Sequence, residues 1–447
     1  MISEIIERLT AEVRFVLRHR LTVGAGHLIA AQYVAAALNI LTNIMMARFL
    51  GPTDYGLTAL VVAFPTILWS FVGIKSVSVI TRYVAGFRAT SDLERLKDVV
   101  KLGYILDIGL SLLALTLVAV SAWWVAGHFY GRSSLAWLMV AYAASFPFFS
   151  FSGGSYAVLS SWEHWRLLAV FEILYPLIKL CLVAGFILLG WGVTGAVVGM
   201  AVAQAVIGIT MVITATYLLL QDGIGPWWRA SWGAMDEIKD ELVKFFGWNY
   251  LLVTLSGLVS QIPLMLLGGL RGPEEAGFYR LAMNITTVAS YAKSSLGRVT
   301  YPILSARWAA GDRNMNFVSL NRWTLRAGVP LCMVFVLSTP LLPFLIPLLF
   351  GNAFRPAVLP TQIMMVGQVV SALFFWLNPF YFASGRIGTW VKGYSLYTAA
   401  IILAGTFAAS HWGVVGLALL VASAEVTFSA GMLALVPRYQ THQGGHR

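Results

Sequence analysis

Charge is what this sequence has least of. Asp, Glu, Lys and Arg make up 11% of its 447 residues, against about 25% in an ordinary soluble domain. That shortage excludes a soluble globular chain. The apolar residues, 59% of the total, come in runs of about twenty, the length that crosses a hydrocarbon core of about 30 Å. Cysteine is nearly absent too. Cys181 and Cys332 both lie inside apolar runs, which excludes a disulfide framework and reads them as small core hydrophobes. There is no Gly-rich loop ending in Lys-Ser or Lys-Thr, so an ATP site of the P-loop kind is excluded. The seven histidines are scattered with no pair at metal-ligand spacing, so no metal centre is expected. No cleavable signal is expected, because the segment before the first apolar run is long and carries charges of both signs. The net charge of +11 does not call for nucleic acid in such a chain, since cytoplasmic loops of membrane proteins are rich in Lys and Arg.

What is present is a duplication. Arg48-Phe49-Leu50-Gly51-Pro52-Thr53-Asp54-Tyr55-Gly56 is a short polar stretch between two apolar runs, and it returns as Gly269-Leu270-Arg271-Gly272-Pro273-Glu274-Glu275-Ala276-Gly277. Each copy reads Gly-Pro, one residue, an acid, one residue, Gly. Trp191-Gly192-Val193-Thr194-Gly195 returns at the same offset as Trp412-Gly413-Val414-Val415-Gly416. Two motifs sharing one offset point to a repeated unit. The expected fold is an all-α membrane protein of about twelve transmembrane helices in two six-helix lobes related by pseudo-two-fold symmetry. The spans are expected near 26–48, 56–80, 102–126, 135–159, 167–190, 193–219, 242–268, 277–302, 325–350, 357–383, 391–410 and 413–436. Residues 1–25 read as an amphipathic interfacial segment, 26–220 as the N-lobe, 221–241 as a cytoplasmic linker, 242–437 as the C-lobe and 438–447 as a cytoplasmic tail. Most of the 30 Lys and Arg fall on the side that holds both termini. Only Arg48, Arg132, Arg271, Arg280 and Arg355 fall opposite, which places the termini in the cytoplasm.

Charge inside the spans carries the functional signal, because a Lys or Asp at mid-bilayer costs about 2.5–3.5 kcal/mol on insertion scales. Lys179 is near mid-depth in the fifth span. Lys75 and Lys293 occupy the second span of each half, where snorkelling to the headgroups is the alternative to a cavity role. Glu425 is near mid-depth in the last span and aligns with Gln204 in the first half. Glu172 precedes Lys179 by two helical turns on the same face, and Asp107 is near the cytoplasmic end of the third span. These three carboxylates are either structural ion-pair partners or sites for H+ or Na+ coupling. Gln32, Asn39 and Asn43 share one helical face, as do Asn249, Ser256 and Ser260. Such stripes suit a water-filled cavity or helix–helix hydrogen bonding. Prolines interrupt many spans, which neighbouring helices can accommodate.

The stretch Ala47-Arg48-Phe49-Leu50-Gly51-Pro52-Thr53-Asp54-Tyr55-Gly56, followed by Arg82-Tyr83-Val84-Ala85 and a basic loop, resembles the first hairpin of the polysaccharide transporter family. These are lipid-linked oligosaccharide flippases, including O-antigen flippases, of the multidrug/oligosaccharidyl-lipid/polysaccharide exporter superfamily. The resemblance implies two lobes around a cavity that opens alternately to each side of a bacterial inner membrane. It implies a polyprenyl diphosphate-linked oligosaccharide as cargo, moved to the outer leaflet for cell-surface polysaccharide such as lipopolysaccharide O-antigen. It implies membrane lipids as partners, with a polysaccharide polymerase or glycosyltransferases as further ones. Arg48 and Arg82 match the motif and would meet the anionic headgroup, joined by Lys75, Lys179 and Lys293, with Asn39, Asn43 and Asn249 lining the path. No cofactor and no catalytic activity are expected. A cation-coupled multidrug antiporter is the first alternative, disfavoured because the first span offers Gln32, Asn39 and Asn43 where those extruders carry an acid. A membrane enzyme of polysaccharide assembly is the second, disfavoured because no large external loop is present.

Overall fold

The structure is a computed structural model that describes residues 20–73, 77–230, 235–309 and 317–441, with side chains described over 26–73, 80–230, 250–308 and 320–436. The interfacial segment expected over 1–25, the side chains of Lys75 and Asn249, most of the 221–241 linker and the whole 438–447 tail fall outside these side-chain ranges. The described residues are almost entirely helical and contain no strand, as the length and apolarity of the runs require: in a bilayer a helix satisfies its own backbone.

Nine helices among the described residues are long and apolar enough to cross a membrane. The difference from twelve has two sources. Gly26–Val72 and Ile387–Val436 each carry two of the expected spans, divided by a single non-helical residue, Gly51 in one and Gly413 in the other. Both have positive φ, 72° and 58°, a backbone state that costs glycine little. The nine-residue polar turn read from the sequence is thus compressed to one glycine followed by Pro52, which opens the next helix because its missing N–H is not needed there. The second source is Pro273–Ala309, 37 residues long but carrying too many polar residues to rank as apolar.

Other expected spans are broken, the fourth, ninth and tenth of them close to prolines. The second span ends at Val72 and a separate helix runs Val77–Ala89. The fourth divides into Leu135–Ala143 and Phe146–Ser161, with Pro147 in the first turn of the second piece. The tenth divides into Val358–Leu373 and Leu377–Ala383. The ninth is interrupted by a π turn at Thr324–Gly328 and a 3-10 turn at Thr339–Leu341, next to Pro330, Pro340 and Pro343. The third begins earlier than expected, because the basic loop before it folds into the same helix, Leu93–Trp124.

The chain forms two compact units. The first comprises Met1–Thr42, Phe71–Ser121 and Trp137–Phe246, and the second comprises Asn43–Ser70, Ala122–Ala136 and Gly247–Arg447. In the first, Phe146–Ser161 and Trp165–Leu188 both pack on Gly192–Gln221, over a core that includes Leu96, Tyr104, Val158 and Leu219. In the second, Val358–Leu373 packs on the long C-terminal helix and on Pro273–Ala309; a core with Trp376, Phe380 and Tyr381 lies beside the break at 374–376. Large apolar side chains such as Val120, Leu396 and Leu403 are exposed, the inverse of a soluble surface and the arrangement lipid tails favour. Cys332 is buried and its thiol contacts the Val369 carbonyl. Cys181 is exposed, a correction to its reading as a core residue: its face of the helix is not covered.

Candidate functional site

In the first unit the organising group is Lys179, on Trp165–Leu188. Its ammonium donates to the side-chain oxygen of Asn39 and lies 5.6 Å from the centroid of the Tyr175 ring, within cation–π range. Lys179 is half-buried, and an ammonium withdrawn from solvent needs such partners. The i,i+4 spacing of Tyr175 and Lys179 supplies one of them from the same helix face, and Asn39 supplies the other from the first helix. Glu172, two turns earlier on the Lys179 helix, is exposed, and Asp107 is buried on Leu93–Trp124. Gln204, the repeat counterpart of Glu425, accepts from the Ser145 hydroxyl at 2.6 Å and donates to the Tyr142 hydroxyl at 2.9 Å. Arg82 is exposed. Its neighbour Arg88 donates to the Ser161 carbonyl and sits 4.6 Å from the centroid of Trp162.

In the second unit Lys293 and Glu425, read separately from the sequence as a substrate cation and a coupling acid, form one pair. Lys293 Nζ is 3.8 Å from Glu425 Oε1 and donates to Ser371 Oγ at 2.5 Å. Gln368 Nε2 donates to both carboxylate oxygens at 3.2 and 3.1 Å, and its own Oε1 accepts from Ser290 at 2.8 Å. The chain of contacts runs Ser290, Gln368, Glu425, Lys293, Ser371, with each donor facing an acceptor. Gly367 makes room for it, since a Cβ there would stand 2.9 Å from Glu425 Oε2. These groups edge a cavity of about 710 Å3. Gln368, Ser371 and Ser290 were not singled out from the sequence. Uncharged polar residues are common in membrane helices, and only the i,i+3 spacing of Gln368 and Ser371 on a face opposite an acid could have flagged them.

The duplicated Gly-Pro motifs meet in the second unit. A Cβ on Gly56 would fall on the carbonyl oxygen of Pro273, and one on Gly277 on the carbonyl oxygen of Pro52. The two turns therefore touch reciprocally through backbone, and glycine at these positions permits the approach. Beside them Tyr55 donates to Asn43 Oδ1 at 3.0 Å, and Asn284 lies 2.8 Å from both Asn43 Oδ1 and the Tyr55 hydroxyl. Asn39 and Asn43, expected on one polar stripe, are thus divided: the first serves Lys179 and the second this cluster.

Two arginines of the turns hold helix ends. Arg48 donates to the carbonyls of Leu348 and Leu349, the last turn of the helix ending at Phe350. Arg271 donates to the carbonyls of Ala409 and Ser410 at 3.0 and 2.9 Å. Both place a cation on the negative end of a helix dipole. Glu275, two residues past Pro273, accepts from the Val414 N–H at 2.8 Å. Arg271 and Glu275 thus grip the Gly413 kink from its carbonyl side and its N–H side. In the second copy the Gly-Pro and Trp-Gly motifs are thereby joined. Glu275→Ala is expected to lower stability by about 1 kcal/mol, as for loss of an N-cap, with Glu275→Gln retaining part of it; thermal unfolding of the purified protein reads both. Arg48 is committed here to backbone carbonyls.

This architecture is shared with solved transporters. Lipid II flippase MurJ in an inward closed conformation matches with a TM-score of 0.66 at 14% identity, covering 91% of this chain and 87% of that one. An inward-facing multidrug resistance MATE family transporter of the MOP superfamily matches with a TM-score of 0.71 at 14% identity, over 94% and 100%. A MOP superfamily transporter from Pyrococcus furiosus matches with a TM-score of 0.59 at 15% identity, over 95% and 97%. The protein is a multi-pass membrane protein with the fold of the MOP superfamily. Among curated proteins no sequence match was found. A profile described as polysaccharide biosynthesis protein matches residues 21–308, well over half of the chain, and the protein belongs to that family.

Proposed function

We propose that this protein is a flippase that moves a polyprenyl diphosphate-linked oligosaccharide from the cytoplasmic to the outer leaflet of the bacterial inner membrane by alternating access, both termini being cytoplasmic. The family match carries the reading, and the lysines inside the helices agree with it. A diphosphate is a compact double anion that needs charge-assisted donors where water is scarce. Lys179, held by Asn39 over Tyr175, has that character, and Lys293 is the second candidate. Glu425 is the candidate for coupling to a proton, being the carboxylate that shares Lys293; Glu172 and Asp107 are the lesser candidates. An anionic cargo leaving a negative cytoplasm also gains about 2.3 kcal/mol per net charge per 100 mV, so the membrane potential favours this direction. The reading includes no chemical step on the cargo, no metal and no organic cofactor.

The test is translocation in proteoliposomes. A lipid-linked oligosaccharide in the inner leaflet should become accessible to a membrane-impermeant reagent only when the protein is present. Lys179→Ala is expected to slow this at least tenfold, with Lys179→Arg recovering most of it. Equal rates in empty and protein-containing vesicles would sink the proposal. Uptake of cationic dyes against a proton or sodium gradient would favour the multidrug antiporter instead.

A further inference from the structure

We propose that the cavity of the second unit receives a sugar ring of the transported glycan, stacked on the aromatic wall around Trp390 and read at its hydroxyls by Lys293, Glu425 and Gln368. The inference rests on the flippase reading and adds to it a place where the carbohydrate is recognised. The cavity volume of about 710 Å3 is within the roughly 300–1,000 Å3 of small-ligand sites.

Its two walls differ in chemistry. One is aromatic. Trp390 stands 4.9 Å from Phe428 between centroids, and Tyr394 and Tyr397 stand 5.7 and 5.8 Å from the same ring. Phe428 is thus the centre of an aromatic cluster, meeting Trp390 and Tyr394 edge to face, and all four rings line the cavity. The other wall is the Gln368–Glu425–Lys293 chain, with donors and acceptors alternating within hydrogen-bond reach.

Three ligand classes can be weighed against these walls. A hydrocarbon or flat apolar drug would cover the aromatic wall but desolvate an ammonium, a carboxylate and an amide while filling none of the hydrogen-bonding positions they have beyond their bonds to one another and to Ser290 and Ser371. A bare diphosphate would meet Lys293 and Arg298 but also the Glu425 carboxylate 3.8 Å from Lys293, which offsets part of that attraction, and it would leave the aromatic wall uncovered. A pyranose has both faces the cavity asks for. Its C–H face is apolar and covers an aromatic ring, while its hydroxyls each donate and accept. They can accept a hydrogen bond from Lys293, donate one to Glu425, and do both with Gln368. The Lys293–Glu425 pair is then a reader of hydroxyl geometry.

The test uses the full-length protein in lipid nanodiscs, with radiolabelled farnesyl diphosphate and farnesyl diphosphate-linked glucose, N-acetylglucosamine and glucuronic acid as probes, corrected for empty nanodiscs. At least one sugar-bearing probe is expected to bind tenfold or more tighter than farnesyl diphosphate. Trp390→Ala should cut that gain below twofold with farnesyl diphosphate binding unchanged, and Trp390→Phe should retain most of it. Gln368→Leu, which leaves the aromatic wall intact, should also lose most of the gain and serves if Trp390→Ala fails to fold. Equal binding of all four probes to the native protein, or a gain that survives in both Trp390→Ala and Gln368→Leu, overturns the proposal. Binding of none of the four would overturn the flippase reading itself.

Discussion

Gly56→Ala is expected to reduce transport to under a tenth and to lower the stability of the purified protein, although the change adds a single methyl group. The added Cβ would fall on the Pro273 carbonyl oxygen, and the reciprocal position, Gly277, faces the Pro52 carbonyl in the same way. Overpacking costs typically about 1–3 kcal/mol where side chains can give way. Here the obstacle is backbone, and no rotamer change relieves it, so the effect should lie at the upper end. Gly277→Ala should behave alike. Gly109→Ala is the control: it lies in a helix with nothing within 4 Å of the added atom, and alanine is the better helix former by about 1 kcal/mol. Full activity and unchanged unfolding temperature in Gly56→Ala would show that the two turns do not need to touch.

The second large effect is expected at the Lys293–Glu425 pair, where stability and transport should separate. Lys293→Met leaves a carboxylate facing Gln368 alone, and Glu425→Leu leaves an ammonium facing Ser371. Breaking a fully buried pair costs about 3–5 kcal/mol. These side chains are 26% and 17% exposed, so partial screening by solvent brings the expected loss nearer about 1–3 kcal/mol. The double variant Lys293→Met with Glu425→Leu removes both charges together and should recover most of that stability, giving a strongly non-additive cycle. Transport should stay at background in all three. A stable double variant with normal transport would reduce the pair to a structural tie.

Much of this organisation is legible in the sequence, for physical reasons. The Gly-Pro and Trp-Gly repeats can be seen because glycine alone accepts the conformations of Gly51 and Gly413 at little cost, and such positions leave a mark. Lys179, Lys293 and Glu425 can be seen because charge in a long apolar run is costly. What does not show is who meets whom. Lys293 and Glu425 lie far apart in the chain, and nothing in either run announces the other. Arg48 reads as a headgroup ligand, yet its partners are two backbone carbonyls, and a carbonyl has no residue type by which to recognise it. The cluster of Tyr55, Asn43 and Asn284 escaped for a similar reason. A tyrosine in a turn and an amide in a helix are ordinary alone and informative only when hydrogen-bonded to each other. The breaks at Val72 and after Leu373 show how a helix read as continuous from its apolarity is divided once packing and turn residues are in place.

The central claim, movement of a lipid-linked oligosaccharide across the membrane, is tested most directly by the leaflet distribution of that lipid in cells where this protein is the only route. The account predicts build-up on the cytoplasmic leaflet when the protein is removed, and again when it is replaced by a normally inserted Lys179→Ala variant. An unchanged distribution between the leaflets in cells lacking the protein would contradict it.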